Sequence, residues 1–299
     1  MRDNLRFVSP HADDAALLHA MVLAGLGDFA QADGLDKPVG ASASALSRGE
    51  RLRIALARAI LQDPAVLILD VRVGIIDGGF ASVPAGALHA SAAFVDGGNG
   101  AIRCISPGTP PLPHGERVAA LVLEPAPEAR LIDARVASHA ERPTARGVAA
   151  ALDWCVAEGA RVVNLSLGLA DDRAVLRAAC ARAVGFGVLL VAAAPARGAP
   201  VFPACYPDVF AVSGDARCGP GEWSLLDRDA KAGAAYGASP DAPLGGPGGA
   251  SMAAARITGL VAAFLARRPD AGCHVLVEHL AAFASWRGRE NRRIAEIDS

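Results

Sequence analysis

The chain of 299 residues predicts an α/β fold: a parallel β-sheet with helices on both faces, preceded by a mostly helical segment. Three observations carry that expectation. Beyond residue 70, short runs of continuous apolar residues alternate with amphipathic stretches, as in strands buried on both faces and covered by helices. Before residue 70 the apolar spacing is helical. The composition, 52% hydrophobic and 20% charged, supplies core for one large domain or two modest ones and excludes a disordered chain.

In chain order, residues 12–32 read as helical, with Leu17, Leu18, Met21, Val22 and Leu26 at apolar positions. Gly34, Pro38 and Gly40 mark a turn. Residues 47–62 form a helix opened by Ser47 with Glu50 three places on, a capping-box spacing. Residues 65–70 are a short buried strand ending in Asp70. Strands follow at 71–77, 129–136, 161–167, 187–194 and 209–213. Between and after them lie helices at 117–123, 146–157, 172–184 and 252–266, with a C-terminal helix around His274 and His279. The domains so read are 1–70, 71–285 and a tail at 286–299.

The formal net charge of −2 gives no global field for nucleic acid or an anionic membrane. Lysine occurs only at Lys37 and Lys231, so basic charge is almost wholly arginine. No apolar run reaches the ~20 residues a bilayer requires, which predicts no membrane span. The first residues, Met1 to Arg6, lack the apolar core of a signal peptide, and a cytoplasmic location is expected. Six cysteines stand singly without a CxxC pair, which argues for reduced thiols and against a metal site. No cofactor is expected.

Three short motifs carry chemistry. Val73 to Gly79 places Asp77 at a strand end before glycines. His114-Gly115 precedes a helical stretch, and Gly248 to Ala254 places Ser251 at a helix N-terminus. Each alone has an ordinary reading: a strand-end carboxylate, a loop histidine, an N-cap serine. Together they supply what a serine nucleophile needs, a base to take its proton and a carboxylate to hold that base in one tautomer.

Asp77, His114 and Ser251 in that order, with their flanks, resemble the subtilisin-like serine proteases. The resemblance spans residues 71–268 and includes Val162 to Gly168 and the segments at 191–198 and 202–213. It implies that Asp77 orients the base, His114 is general base then acid, and Ser251 attacks the scissile carbonyl. It also implies substrate contacts at Asn164, Ser166, Leu167, Gly168 and Ala194. His11, His19, His89, His139, His274 and His279 match no such motif and read as solvated or core side chains.

The pattern departs from the family at the oxyanion site. Ala196 stands where the family has asparagine, Pro195 replaces a glycine, and Ala250 replaces the usual threonine. Losing one such side-chain donor removes about 3–4 kcal/mol of transition-state stabilisation in enzymes of this kind. The expectation is a slow endopeptidase making one maturation cleavage, the removal of a leader from a peptide or small protein precursor. The chain further resembles the intracellular leader-peptide proteases of quinohaemoprotein amine dehydrogenase biogenesis, which implies the γ subunit of that enzyme as precursor. A peptide-binding pseudoprotease is the alternative, and the intact triad argues against it.

The first 70 residues resemble part of an ABC-transporter nucleotide-binding domain. Leu46 to Glu50 sits at the signature loop and Asp70 at the magnesium-site aspartate. There is no GxxxxGK[ST], and Val71 replaces the catalytic glutamate, so autonomous ATP hydrolysis is not expected. An ABC exporter and other maturation enzymes are the partners this implies.

Overall fold

The computed structural model describes residues 1–6, 9–29, 34–36, 48–61, 70–97, 101–138, 142–226, 234–269 and 271–288. The chain forms two compact units, Met1–Leu69 and Asp70–Ser299. The first holds helices α1 (Arg2–Arg6), α2 (Asp14–Leu23) and α3 (Arg48–Leu61). Leu5, Leu17, Met21, Leu26, Leu35 and Ile54 pack into its small core. Asp13 caps α2, its carboxylate accepting the Ala16 N–H at 2.8 Å. Val22, expected on the apolar face, is exposed. Ser47 and its capping role, the strand at 65–69, part of the signature-like loop, Lys37, Lys231 and His139 lie outside the described residues.

The second unit is a sheet between two helical layers. Its strands are β1 (Arg72–Asp77), β2 (Leu88–Asp96), β3 (Ile102–Ile105), β4 (Arg130–Arg135), β5 (Val162–Leu165), β6 (Leu189–Ala193), β7 (Val209–Gly214), β8 (Trp223–Leu225), β9 (Tyr236–Ala238) and β10 (Trp286–Arg287). They lie in the order β10-β8-β9-β7-β6-β5-β1-β4-β2-β3. Pairing is parallel except at β2–β3 and β8–β9. The helices are α4 (Pro113–Leu123), α5 (Ala145–Ala157), α6 (Ala174–Gly185), α7 (Ala250–Arg267) and α8 (Cys273–Ala282).

Alternate side chains of each strand serve opposite layers, which is why the strands read as unbroken apolar runs. From β1, Val73 and Ile75 join Val118, Val122, Ile257 and Val261 of α4 and α7. Ile76 points the other way, with Val148 and Leu152 of α5 and Leu176 of α6. The apolar helix α7 has the length and hydropathy of a membrane span, but 61% of it is buried within the protein as a core helix.

The strands β2, β3, β8 and β9 go beyond what the apolar runs predict. β2 reads Leu-His-Ala-Ser-Ala-Ala-Phe-Val-Asp, small and partly polar, and β8 and β9 have three residues each, too short for a periodic signal. Trp286 and Arg287, at the start of the expected tail, pair with β8. Two helices start earlier than their apolar spacing suggests. Pro113 takes the first position of α4, where its missing N–H costs nothing, and α7 begins at Ala250. His114 and Ser251 therefore stand inside the first turns of their helices.

Leu152 is fully buried between α5 and the sheet. Leu152→Ala should destabilise the second unit by about 2–5 kcal/mol, read as a lower denaturation midpoint in urea.

Candidate active site

Asp77 is the last residue of β1, and strand register fixes where that end lies. Ile76 sits opposite Leu165 of β5, and Asp77 opposite Arg135 of β4. The carboxyl ends of parallel strands are where such sheets gather chemistry. The Asp77 carboxylate is 8% exposed and accepts the Gly78 N–H at 2.6 Å. The Gly78 carbonyl in turn accepts the Leu112 N–H at 3.0 Å, which ties the turn to the start of α4.

The first turn of α4 rests directly on this turn. A Cβ placed on Gly115 would lie 2.1 Å from the Gly79 carbonyl oxygen, so only glycine permits the approach. Arg135 braces the same turn, donating to the Phe80 carbonyl at 3.2 Å and to the Thr109 carbonyl at 2.9 Å. Its Nε donates at 2.7 Å to the buried Asp133. Glu116 accepts the N–H groups of Ala81 and Ser82 at 2.9 and 3.0 Å.

So placed, His114 Nδ1 is 2.8 and 3.0 Å from the two carboxylate oxygens of Asp77. A carboxylate facing Nδ1 holds the proton there and leaves the Nε2 lone pair free to accept another. The hydrogen bond to Asp77 raises the His114 pKa above 6.5, against the opposing effects of burial and of Arg117.

Ser251 comes from the neighbouring helix. Arg256 of α7 reaches Glu124 beyond the end of α4 at 3.3 Å, and Gly246, before α7, lies beside Arg117 of α4. The two helices thus run side by side with their N-termini at the same edge. The Ser251 hydroxyl donates to the Ser166 carbonyl at 3.2 Å, just past the end of β5. The Ser166 hydroxyl lies 3.3 Å from the Ser251 carbonyl and 2.6 Å from Asn164 Oδ1. Asn164 Nδ2 donates to Thr258 Oγ1 at 2.9 Å.

Asn164, expected as a substrate contact, is fully buried, and both ends of its amide are engaged within the protein. Ala194 is also buried, packed in the α5 and α6 layer rather than on an open surface. Leu167 is half-buried and Gly168 exposed, before Leu169 pairs with Phe202 through two hydrogen bonds of 2.8 Å. A cavity of about 600 Å³ opens beside this segment, lined by Leu169, Asp171 and Arg173 and by Thr144 and Arg146 at the start of α5. Ala196 lies in an exposed loop after β6 and offers only a methyl group there. Elsewhere, His89 faces Glu158 at 3.6 Å, and His279 packs between Phe264 and Phe283.

Sequence reasoning missed Thr258, Arg135 and Glu116. Thr258 had a signal, a hydroxyl on an otherwise apolar helix face. Arg135 and Glu116 had none beyond ordinary surface charge.

A family model described as the Subtilase family matches residues 71–286, and one described as ABC transporter matches residues 3–71. Among solved structures, a cold-adapted subtilisin-like serine proteinase superposes with a TM-score of 0.55 and 22% identity, covering 72% of this chain and 84% of that one. The S41 psychrophilic protease gives 0.55 and 21%, covering 71% and 82%. Both likenesses establish the fold. Among curated relatives, the ATP-dependent lipid A-core flippase of Neisseria meningitidis serogroup A is 40% identical over 77 residues, 25% of this chain. A β-(1→2)glucan export ATP-binding/permease protein of Agrobacterium vitis is likewise 40% identical over 77 residues. The chain spans only 12% and 13% of those two relatives.

The raised pKa predicts that the His114 imidazole titrates above 6.5. Asp77→Asn should move that midpoint down by removing the carboxylate, as followed by NMR of the ring protons. An unchanged midpoint would break the link.

Proposed function

The chain belongs to the subtilase family, and on that premise we propose that it is a serine endopeptidase with Asp77, His114 and Ser251 as its triad. The observation that carries the reading is the paired hydrogen bond of 2.8 and 3.0 Å between His114 Nδ1 and Asp77, at the edge where Ser251 also stands. The proposed attack requires the Ser251 side chain to turn from the Ser166 carbonyl, which it faces at 3.2 Å, toward His114. Nε2 takes the hydroxyl proton as Oγ attacks the scissile carbonyl, and the Asp77 carboxylate stabilises the imidazolium that forms. His114 then returns the proton to the leaving amine, and water resolves the acyl-enzyme by the same steps in reverse.

The developing oxyanion would be met by the backbone N–H of Ser251, among the first-turn N–H groups that a helix leaves unpaired. Ala196 and Ala250 contribute no side-chain donor. A slow catalyst suits a single maturation cleavage, where each precursor is cut once. The proposed substrate is a peptide or small protein precursor whose leader is removed; the γ subunit of quinohaemoprotein amine dehydrogenase is the candidate that the sequence resemblance supplies. Residues 3–71, which match the ABC-transporter model, are proposed as a docking segment for an exporter rather than an ATPase. The two alanines favour one competing reading, a pseudoprotease that holds a peptide without cutting it.

A fluorophosphonate probe should label Ser251 in the full chain and fail in the Ser251→Ala and His114→Ala variants, as mapped by mass spectrometry. Precursor cleavage should vanish in Ser251→Ala with the fold intact; wild-type binding of precursor without cleavage or labelling would favour the pseudoprotease.

Restoring an amide with Ala196→Asn should raise kcat about tenfold, equivalent to ~1.4 kcal/mol, with little change in KM. Steady-state kinetics on the precursor read the split, and an unchanged kcat would mean that the hole is already filled.

A further inference from the structure

The buried polar side chains between β5 and α7 form one connected chain that ends on Ser251. Thr258 is fully buried in the middle of α7. Its hydroxyl donates to the Ala254 carbonyl at 2.8 Å and accepts from Asn164 Nδ2 at 2.9 Å. The other end of the Asn164 amide is 2.6 Å from the Ser166 hydroxyl, which also lies 3.3 Å from the Ser251 carbonyl. The Ser251 hydroxyl closes the loop on the Ser166 carbonyl at 3.2 Å.

The spacing makes this a two-point attachment. Seven residues separate Ser251 from Thr258, two helical turns, so both face the same side of α7. Asn164 and Ser166 are two apart and share one side of the strand direction. Around them the contact is apolar: Val191 and Val212 from the sheet, and Met252, Ala255 and Ile257 from the helix. Apolar contact is non-directional and tolerates small sliding of helix against sheet. A buried amide and hydroxyl do not, because any shift leaves a donor or acceptor unpaired away from water.

We propose that Thr258 and Asn164 are positioning residues that set the height and rotation of the α7 N-terminus, and so the place of the Ser251 nucleophile relative to β1 and β5. This rests on the reading of Ser251 as nucleophile. Neither residue touches substrate; both act through Ser166 and the Ser251 backbone. A displacement of a fraction of an ångström at Ser251 affects the reaction step more than probe binding.

The test is the rate of fluorophosphonate labelling of Ser251 in the full chain, resolved into the reaction rate at saturating probe and the half-saturating concentration. Thr258→Val removes the hydroxyl at nearly constant shape and should lower the reaction rate about tenfold with an unchanged half-saturating concentration. Thr258→Ser keeps both hydrogen bonds and should restore the rate to within about twofold of wild type. Ser166→Ala cuts the same chain at the end next to Ser251 and should also slow labelling. The double variant Thr258→Val/Ser166→Ala should be no slower than the slower single, since both break one path.

Labelling of a folded Thr258→Val protein at the wild-type rate would overturn the inference while leaving the protease reading intact. So would multiplicative losses in the double variant. Should Thr258→Val not fold, failure of Ser166→Ala to slow labelling would overturn it alone. A wild-type chain that never labels at Ser251 would instead overturn the protease reading on which the inference rests.

Discussion

A bare backbone contact governs the site. Where Gly115 meets the Gly79 carbonyl there is no room for a side chain on the helix. That closeness brings the first turn of α4 down onto the turn that follows Asp77. The Asp77–His114 hydrogen bonds then follow from the helix's position, not from a flexible side chain searching for a partner. Arg135 and Glu116 hold the same turn from two sides through backbone carbonyls and N–H groups. The geometry of the Asp77–His114 pair is thus fixed by main chain first, and the side chains inherit it.

The molecule uses its buried polar groups unevenly. Beneath the acid–base pair, Asp133 is fully buried, and burial raises its pKa against the opposing hydrogen bonds from Ser91 and Arg135. Beneath Ser251, Asn164 and Thr258 spend their hydrogen-bonding capacity on one another and on Ser166. In the exposed loop after β6, Ala196 offers only a methyl group. The hydrogen bonds thus concentrate around Asp77, His114 and Ser251.

Much of this was legible in the sequence because the strands of a two-faced sheet are apolar throughout. β1, β4, β5, β6 and β7 all appear as such runs, and α5, α6 and α7 as periodic stretches. The chemistry-bearing motifs were equally readable, since Asp77, His114 and Ser251 sit beside glycines and small residues required by local geometry. What stayed hidden depends on long-range pairing. β2 acquires strand form by joining β4, β3 by joining β2, and β10 by joining β8. Asn164 shows the same limit: its motif suggests a substrate contact, and nothing in it signals that Thr258, 94 positions away in sequence, engages the amide in the core.

The ends of the sheet carry a consequence for association. A strand at a sheet margin presents unpaired N–H and C=O groups on which another chain can template itself. Here the last strands are β10, with two residues, and β3, with four residues that include the exposed Arg103. Neither offers a long, flat, uncharged run. Among the described residues, the wide sheet that buries the core therefore ends in margins that offer a further strand only two and four residues to pair with.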